Sequence, residues 1–386
     1  MKEATRFGLI YLSYFAALSG FGTFRNVYLE DVGMTGFEMG VLGAIVTVVA
    51  VVAQPIWGFI TDRRGIQREV LLVCGSVTAF AVLVYPAAPY FDAVFAVLVL
   101  GTVVYAAFHA PIAPITDSLV LSTSVFYGRA RAFGSLAFGG ASLVYGYLIA
   151  GYGTSLIFYA YSLGMIALVS VAWTLPSRDD GGFDVVGREA VDLVRDRDYV
   201  LLLLSGFLVG TTLLSGNDFF SVYVRAIGGT DFTTGVAWFL LTLVEAAAFV
   251  YLLRYVTGSY RLLLALGGYA YAVKYAVYYA VDDPLVVVAS HLVTGVSFAA
   301  FHLSAVSLAS AIAPDSLKST AQTVLWSAVF GLGAGVGHLL AGALHDSVGV
   351  QSMYLYLAVI AALGGSVALF LDADAGRPER DVTPAR

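Results

Sequence analysis

The sequence predicts an all-α membrane protein of twelve transmembrane helices arranged as two pseudo-symmetric six-helix bundles. Three observations carry that expectation. Of 386 residues, 59% are hydrophobic and 12% charged. A soluble domain carries roughly 25% charge, so too little polar surface remains for a water-soluble fold of this size. Apolar runs longer than ~18 residues recur along the chain and read as bilayer spans. They lack the short alternation of a β-barrel, and a helix satisfies every backbone group within its own segment. Finally, the second half repeats the pattern of the first.

The spans follow in order. Span 1 covers 7–29, span 2 covers 37–61, span 3 covers 70–88, span 4 covers 92–121, span 5 covers 129–152 and span 6 covers 154–175. A polar stretch, 176–198, is the one linker of length. Spans 7 to 12 cover 199–225, 232–257, 261–281, 285–313, 319–344 and 350–371, with a tail at 372–386. The basic start at Lys2 and Arg6 resembles a signal peptide, but the apolar stretch behind it is too long for one. It reads as a retained helix. Residues 1–175 and 199–371 thus form two bundles. Pro111 and Pro114 are expected to bend span 4, and the glycine series Gly331–Gly342 to let span 11 approach its neighbours closely.

Charge orients the chain. Arg63, Arg64, Arg68, Arg129, Arg131, Arg254, Arg261, Lys318 and the linker arginines fall on the side of both termini. Glu30, Asp31, Asp92, Asp231, Asp282 and Asp346 fall on the other, where Arg225 stands alone. Both termini and the linker are therefore expected in the cytoplasm of a multi-pass cell-membrane protein.

The repeat is explicit. Phe24–Val41 and Phe219–Val236 align without a gap at an offset of 195, sharing Phe, Val, Tyr, Gly, Thr, Phe, Gly and Val. Ala106–His109 and Ala299–His302 both read Ala-Ala-Phe-His, at an offset of 193. Parallel repeats of six helices place a binding site near the midplane between the halves. This implies alternating access to a central site.

Between spans 2 and 3 stands Gly58-Phe-Ile-Thr-Asp62-Arg63-Arg64-Gly65-Ile-Gln-Arg68. Gly65 permits a tight turn, and Asp62 can act on neighbouring helix ends. This loop resembles the cytoplasmic signature of the major facilitator superfamily. The resemblance implies that Gly58, Asp62, Arg63, Arg64, Gly65 and Arg68 form a conformational latch. The second-half copy keeps Arg254, Gly258 and Arg261 without the Asp. Gln54-Pro55, Tyr127-Gly128-Arg129 and the polar residues of spans 8 to 10 are similar to the branch holding lactose permease, nucleoside–proton symporters and phenylpropionate permeases. Lactose permease has a Glu, an Arg and a His in those three helices, in its proton and sugar machinery. Here Glu245, Lys274 and His291 stand there, with lysine for the usual arginine.

Ionisable residues at bilayer depth are expensive and mark function. Glu245, Lys274, His291 and His302 are the proton-coupling candidates. His291 and His302 lie eleven residues apart, nearly three helical turns, so they share a face. His109, His302, Arg25, Asp218 and Asn217 are the substrate-binding candidates. The repeat pairs His109 with His302 across the centre. It also sets Arg25 at the depth of Asp218, where the two can bridge the outer side. Asp117 is expected to pair with Arg129 or Arg131, His338 to pack structurally, and Tyr14, Tyr105, Tyr271 and Trp326 to offer stacking faces.

These features predict a proton-coupled importer of a small organic solute such as a sugar, a nucleoside or an aromatic or carboxylic acid. The absence of a Gly-Pro pair in span 5 weighs against a drug antiporter. A metabolite or drug exporter and a non-transporting receptor are the other readings. No catalytic motif or metal-ligand spacing is present, and neither enzyme activity nor a cofactor is expected. The expected partners are a small-molecule substrate, protons and the bilayer, with no nucleic acid, and the protein is expected to be monomeric.

Overall fold

Turn chemistry sets the helix ends in this structure, a computed structural model that describes residues 3–121, 123, 127–175, 193, 195–255, 259–314 and 317–372. The side chains of Asp62, Arg129, Arg131 and Arg254 lie outside the described residues, as do Gly258, most of the linker and most of the tail. Gly33 and Gly228 close spans 1 and 7 at φ 83° in both halves, a conformation glycine reaches without steric penalty. The helix Gly36–Arg64 then starts on a capping box, in which Thr35 accepts from the Glu38 amide and the Glu38 carboxylate accepts from Thr35. The second half repeats the device with Thr230 and Thr233, 3.2 Å apart from hydroxyl to amide. Gly65 ends span 2 in the left-handed region at φ 63°.

The described residues are helical throughout, without strands. Among the described residues, ten helical runs are long and apolar enough to cross a membrane. The helices at the other two predicted positions fall short: Leu156–Ala172 has 17 residues, and Tyr260–Ala280 carries Arg261 and Lys274. Leu100, Leu136, Leu163, Leu266, Val273 and Leu332 are exposed on the outer faces, where lipid can cover them.

Span 4 breaks where the prolines stand, into Val94–His109 and Ile112–Leu121, because proline removes a backbone donor and clashes with the preceding turn. Span 11 runs as Lys318–Trp326, a π-helical stretch Ser327–Gly333 and Ala334–Val348. A Cβ built at Gly333 would stand 2.7 Å from the Phe207 carbonyl oxygen of span 7, and one at Gly337 would overlap that of Thr211. The glycines thus bring two backbones together, and the widened turn fits span 11 around that contact.

The repeat seen in sequence is a repeat in packing. Tyr28 donates to the Tyr85 carbonyl at 2.7 Å, and Tyr223 donates to the Tyr278 carbonyl at 2.6 Å. The four tyrosines keep the repeat offsets of 195 and 193 and are buried.

The halves meet along two crossings related by the same repeat. Span 2 packs on span 11, and span 5 on span 8. A Cβ at Gly40 would overlap the His338 carbonyl oxygen, and one at Gly235 would press on that of Ser142. Gly342 against Gly36 and Gly146 against Asp231 form a second matched pair of close approaches. Glycine is required at these points because backbone faces backbone.

These crossings lie toward the ends remote from the termini, and polar contacts reinforce them there. Arg225 binds Asp31 at 2.8 Å while forking onto Asp231 at 2.7 and 2.8 Å. Asp346 accepts from the first amides of span 2, Gly36 at 2.6 Å and Phe37 at 2.8 Å, a favourable place for a carboxylate. Toward the termini, the contacts of Arg68 with Trp173, Arg261 with Leu371, Gln322 with Ser310 and Tyr199 with Ala321 each stay within one half. Among the described residues the seam is sealed on one side only.

Candidate functional site

His109, the last residue of the first segment of span 4, is half-buried. Its ring lies between Tyr14 and Tyr105, stacked at 5.5 and 4.9 Å. Nε2 meets the Tyr14 hydroxyl at 3.2 Å and Nδ1 the Tyr161 hydroxyl at 2.9 Å. A neutral imidazole donates through one nitrogen and accepts through the other, so both hydroxyls are served. The break at Pro111 ends the helix just beyond and turns this ring toward spans 1 and 6.

His302 occupies the equivalent place in span 10. It stacks on Trp326 at 4.5 Å, with Phe298 at 5.5 Å and Phe330 behind Trp326 at 5.3 Å. Phe298 and Tyr105 are repeat mates, each one turn before its histidine. The two histidines do not touch. Each is held by aromatic rings of its own half.

Arg25 and Asp218 form the bridge that their shared depth suggests, with Nη2 to Oδ2 at 2.7 Å. Arg25 also donates twice to Asn26 at 3.2 Å and lies over the Phe21 ring. At 5% exposure Arg25 is buried in this bridge. His338, expected to pack structurally, instead joins the bridge: Nε2 lies 3.0 Å from Asp218 Oδ2. Asn217 beside it keeps its side-chain oxygen buried without a hydrogen-bond partner. Asp117 bonds the Tyr11 hydroxyl of span 1; the arginines expected to pair with it lie outside the described residues.

Lys274 is 1% exposed within the second bundle. Its Nζ has no hydrogen-bond partner and lies over the rings of Tyr275, Tyr271 and Tyr278 at 4.2, 5.1 and 5.5 Å. The expected Glu245–Lys274 contact is absent, because span 9 turns Lys274 into its own tyrosine cluster while Glu245 is half-buried on span 8. His291 is wholly buried, stacked on Phe220 at 4.1 Å with Nδ1 2.6 Å from the Tyr278 hydroxyl. The structure therefore separates His291, buried beside Phe220, from His302, half-buried beside Trp326. Lys274 Nζ, the Tyr271 hydroxyl and His291 Nε2 are buried polar atoms without hydrogen-bond partners.

At the terminal end of the first bundle lies a cavity of about 470 Å³, lined by Gln54, Gly58, Thr61, Pro114, Asp117 and Ser118 among others. Arg68 ties the loop to span 6, donating to the Trp173 carbonyl at 2.8 Å and lying over its indole. Arg63 and Arg64 are exposed. The cavity opens on the side where the seam is unsealed.

Tyr161, and the place of His338 in the bridge, escaped the sequence reading. Tyr161 was detectable as the repeat mate of Tyr354. His338 stands on the stripe Gly331, Gly335, His338, Gly342, the face that meets span 2; a histidine in a glycine stripe marks a contact in the interface itself.

Known proteins agree with this architecture. The chain is 31% identical to maltose permease of Geobacillus stearothermophilus, over 95% of this chain and 94% of the permease. It is 27% identical to melibiose permease of Enterobacter cloacae, over 34% of this chain and 33% of the permease. The crystal structure of a point mutant of the nucleoside transporter NupG superposes with a TM-score of 0.85, covering 96% of this chain and 100% of that one at 14% identity, a likeness of fold. The model of the MFS_1 like family matches residues 4–356, and with it the chain belongs to that family: it is a multi-pass membrane transporter of the major facilitator superfamily, not an enzyme.

Proposed function

We propose that the protein imports a small sugar by alternating access, in symport with protons, across the cell membrane with both termini in the cytoplasm. The excess of basic residues on the terminal side supports that orientation. It makes the sealed side of the seam the outer side, so the structure corresponds to an inward-open state of twelve spans. The carrying observation is the pair of aromatic-held histidines. His109 within three tyrosines and His302 on Trp326 offer ring faces for the apolar faces of a sugar and imidazole nitrogens for its hydroxyls. The relation to maltose permease supports a sugar ahead of a nucleoside. For coupling, Glu245, Lys274, His291 and His302 remain the proposed proton-handling set, with Lys274 and His291 within electrostatic reach of each other. Gly58, Asp62, Arg63, Arg64, Gly65 and Arg68 are the proposed latch of the cytoplasmic side in the opposite state.

Calorimetric titration of the purified protein with maltose, raffinose and a nucleoside tests the substrate class. Trp326→Ala is expected to weaken sugar binding at least about tenfold, close to the upper range for one aromatic contact, and His302→Ala likewise, with unchanged melting temperature. Binding of the nucleoside alone would move the cargo to that class. Unaltered affinity in both variants would remove this site.

A further inference from the structure

The Arg25–Asp218–His338 cluster raises a question of donors and acceptors. His338 is 2% exposed, and both ring nitrogens face acceptors. Nδ1 lies 2.7 Å from the Ala334 carbonyl oxygen, which only accepts, so Nδ1 carries a hydrogen. Nε2 lies 3.0 Å from Asp218 Oδ2, which already accepts from Arg25 at 2.7 Å. A neutral imidazole has one hydrogen, now committed to Nδ1. The second contact therefore needs another proton, on Nε2 or on the carboxyl. In either place the pair holds one proton more than a neutral histidine and a carboxylate.

We infer that the His338–Asp218 pair is a proton-binding site of the outer gate, and that closing the outer side takes up one proton there. Asp218 and His338 both belong to the second half, whereas Arg25 belongs to the first. Gly43 of span 2 covers the imidazole, where a Cβ would overlap its ring, and Gly40 packs on the His338 carbonyl. Opening the outer side withdraws Arg25 and span 2 together and exposes the pair to outside water, where its proton exchanges. Closing seals the proton in.

The other titratable groups around the pair are few. Arg25 comes from span 1, with Glu30 nearer the rim. Tyr85 of span 3 and Tyr354 of span 12 act on Asp218 electrostatically, with hydroxyls bonded to Thr102 at 2.9 Å and to the Gly216 carbonyl at 2.8 Å. His345 and Asp346 lie two turns outward on span 11, and span 2 presents only glycine. The sign follows: the closed state binds more protons than the open one, so low pH favours closure. One proton gives at most a tenfold change in the closed-to-open ratio per pH unit.

The inference rests on the alternating-access reading, but its test reads distance, not transport. Spin labels at Tyr90→Cys and Leu285→Cys, both exposed on the outer side of opposite halves, report the gate by double electron–electron resonance. Native Cys74 is buried. In nanodiscs the closed population is expected to fall at least about tenfold between about pH 6 and about pH 9. Asp218→Asn decides the cause. Arg25 and Nε2 meet the same oxygen, Oδ2, so the amide oxygen in its place accepts from Arg25 and, once Nε2 carries a proton, from His338. The variant is expected to keep a pH-dependent closure, moved to lower pH. A gate held by the Arg25–Asp218 charge pair alone would instead open in this variant throughout. That result, or a pH-independent wild-type distribution, would overturn the proton site. Alternating access itself fails separately, if Gly40→Val also leaves the two labels at one fixed separation.

Discussion

Replacing Gly40 with valine, together with Gly235, is expected to hold the outer side of the transporter open. At each position backbone meets backbone: a Cβ at Gly40 would overlap the His338 carbonyl oxygen, and one at Gly235 would press on that of Ser142. A helix carbonyl cannot step aside as a flexible side chain does. Overpacking of this kind costs about 1–3 kcal/mol. The penalty falls only on the state in which these crossings are closed, because the other state parts them. Each substitution should shift the equilibrium by about 5-fold to 150-fold. The crossings share no partners, so the two effects should add. The expected outcome is sugar binding retained from the outside, with uptake reduced by at least about tenfold. Outer-side labels measure it directly; a closed distribution like that of the wild type would show that the glycines do not set the seam.

Lys274→Met is expected to abolish accumulation against a gradient while leaving the fold as stable as before, or more so. The ammonium lies among tyrosine rings with no hydrogen-bond partner, and no carboxylate of the described residues comes within 4.0 Å of it. A buried charge without a paired carboxylate is costly, and a well-packed apolar replacement is commonly neutral or stabilising. The cation–π attraction of the ammonium offsets about 1–2 kcal/mol of that cost, so the melting temperature should hold or rise on substitution. A lysine kept at such a position points to function. Loss of accumulation with retained sugar counterflow would assign it to coupling. A destabilised variant that still accumulates sugar would make Lys274 a structural residue.

The all-helical, multi-span plan was legible because bilayer solvation leaves a coarse signal in composition and repeat; of the twelve spans expected, ten have the length and hydropathy of a span among the described residues. The left-handed turns at Gly33, Gly65 and Gly228 and the break at Pro111 follow from single residue types. The Arg25–Asp218 bridge was legible too, because the repeat converts a sequence offset into equal depth. Depth does not say which way a side chain faces. Glu245 and Lys274 share depth, yet Lys274 turns into its own bundle. His291 and His302 share a helical face, yet that face runs from the core beside Phe220 to the half-buried contact with Trp326. The third member of the gate, His338, meets a residue 120 positions away, a contact fixed by how span 11 lies against span 7 through its glycines.

Uptake of radiolabelled maltose into proteoliposomes, with and without an inward proton gradient, tests proton-coupled sugar import most directly. Accumulation above the outside concentration is expected only with the gradient, and equilibration without accumulation in Lys274→Met. Uptake that is equal with and without the gradient, and equal in the variant, would contradict it.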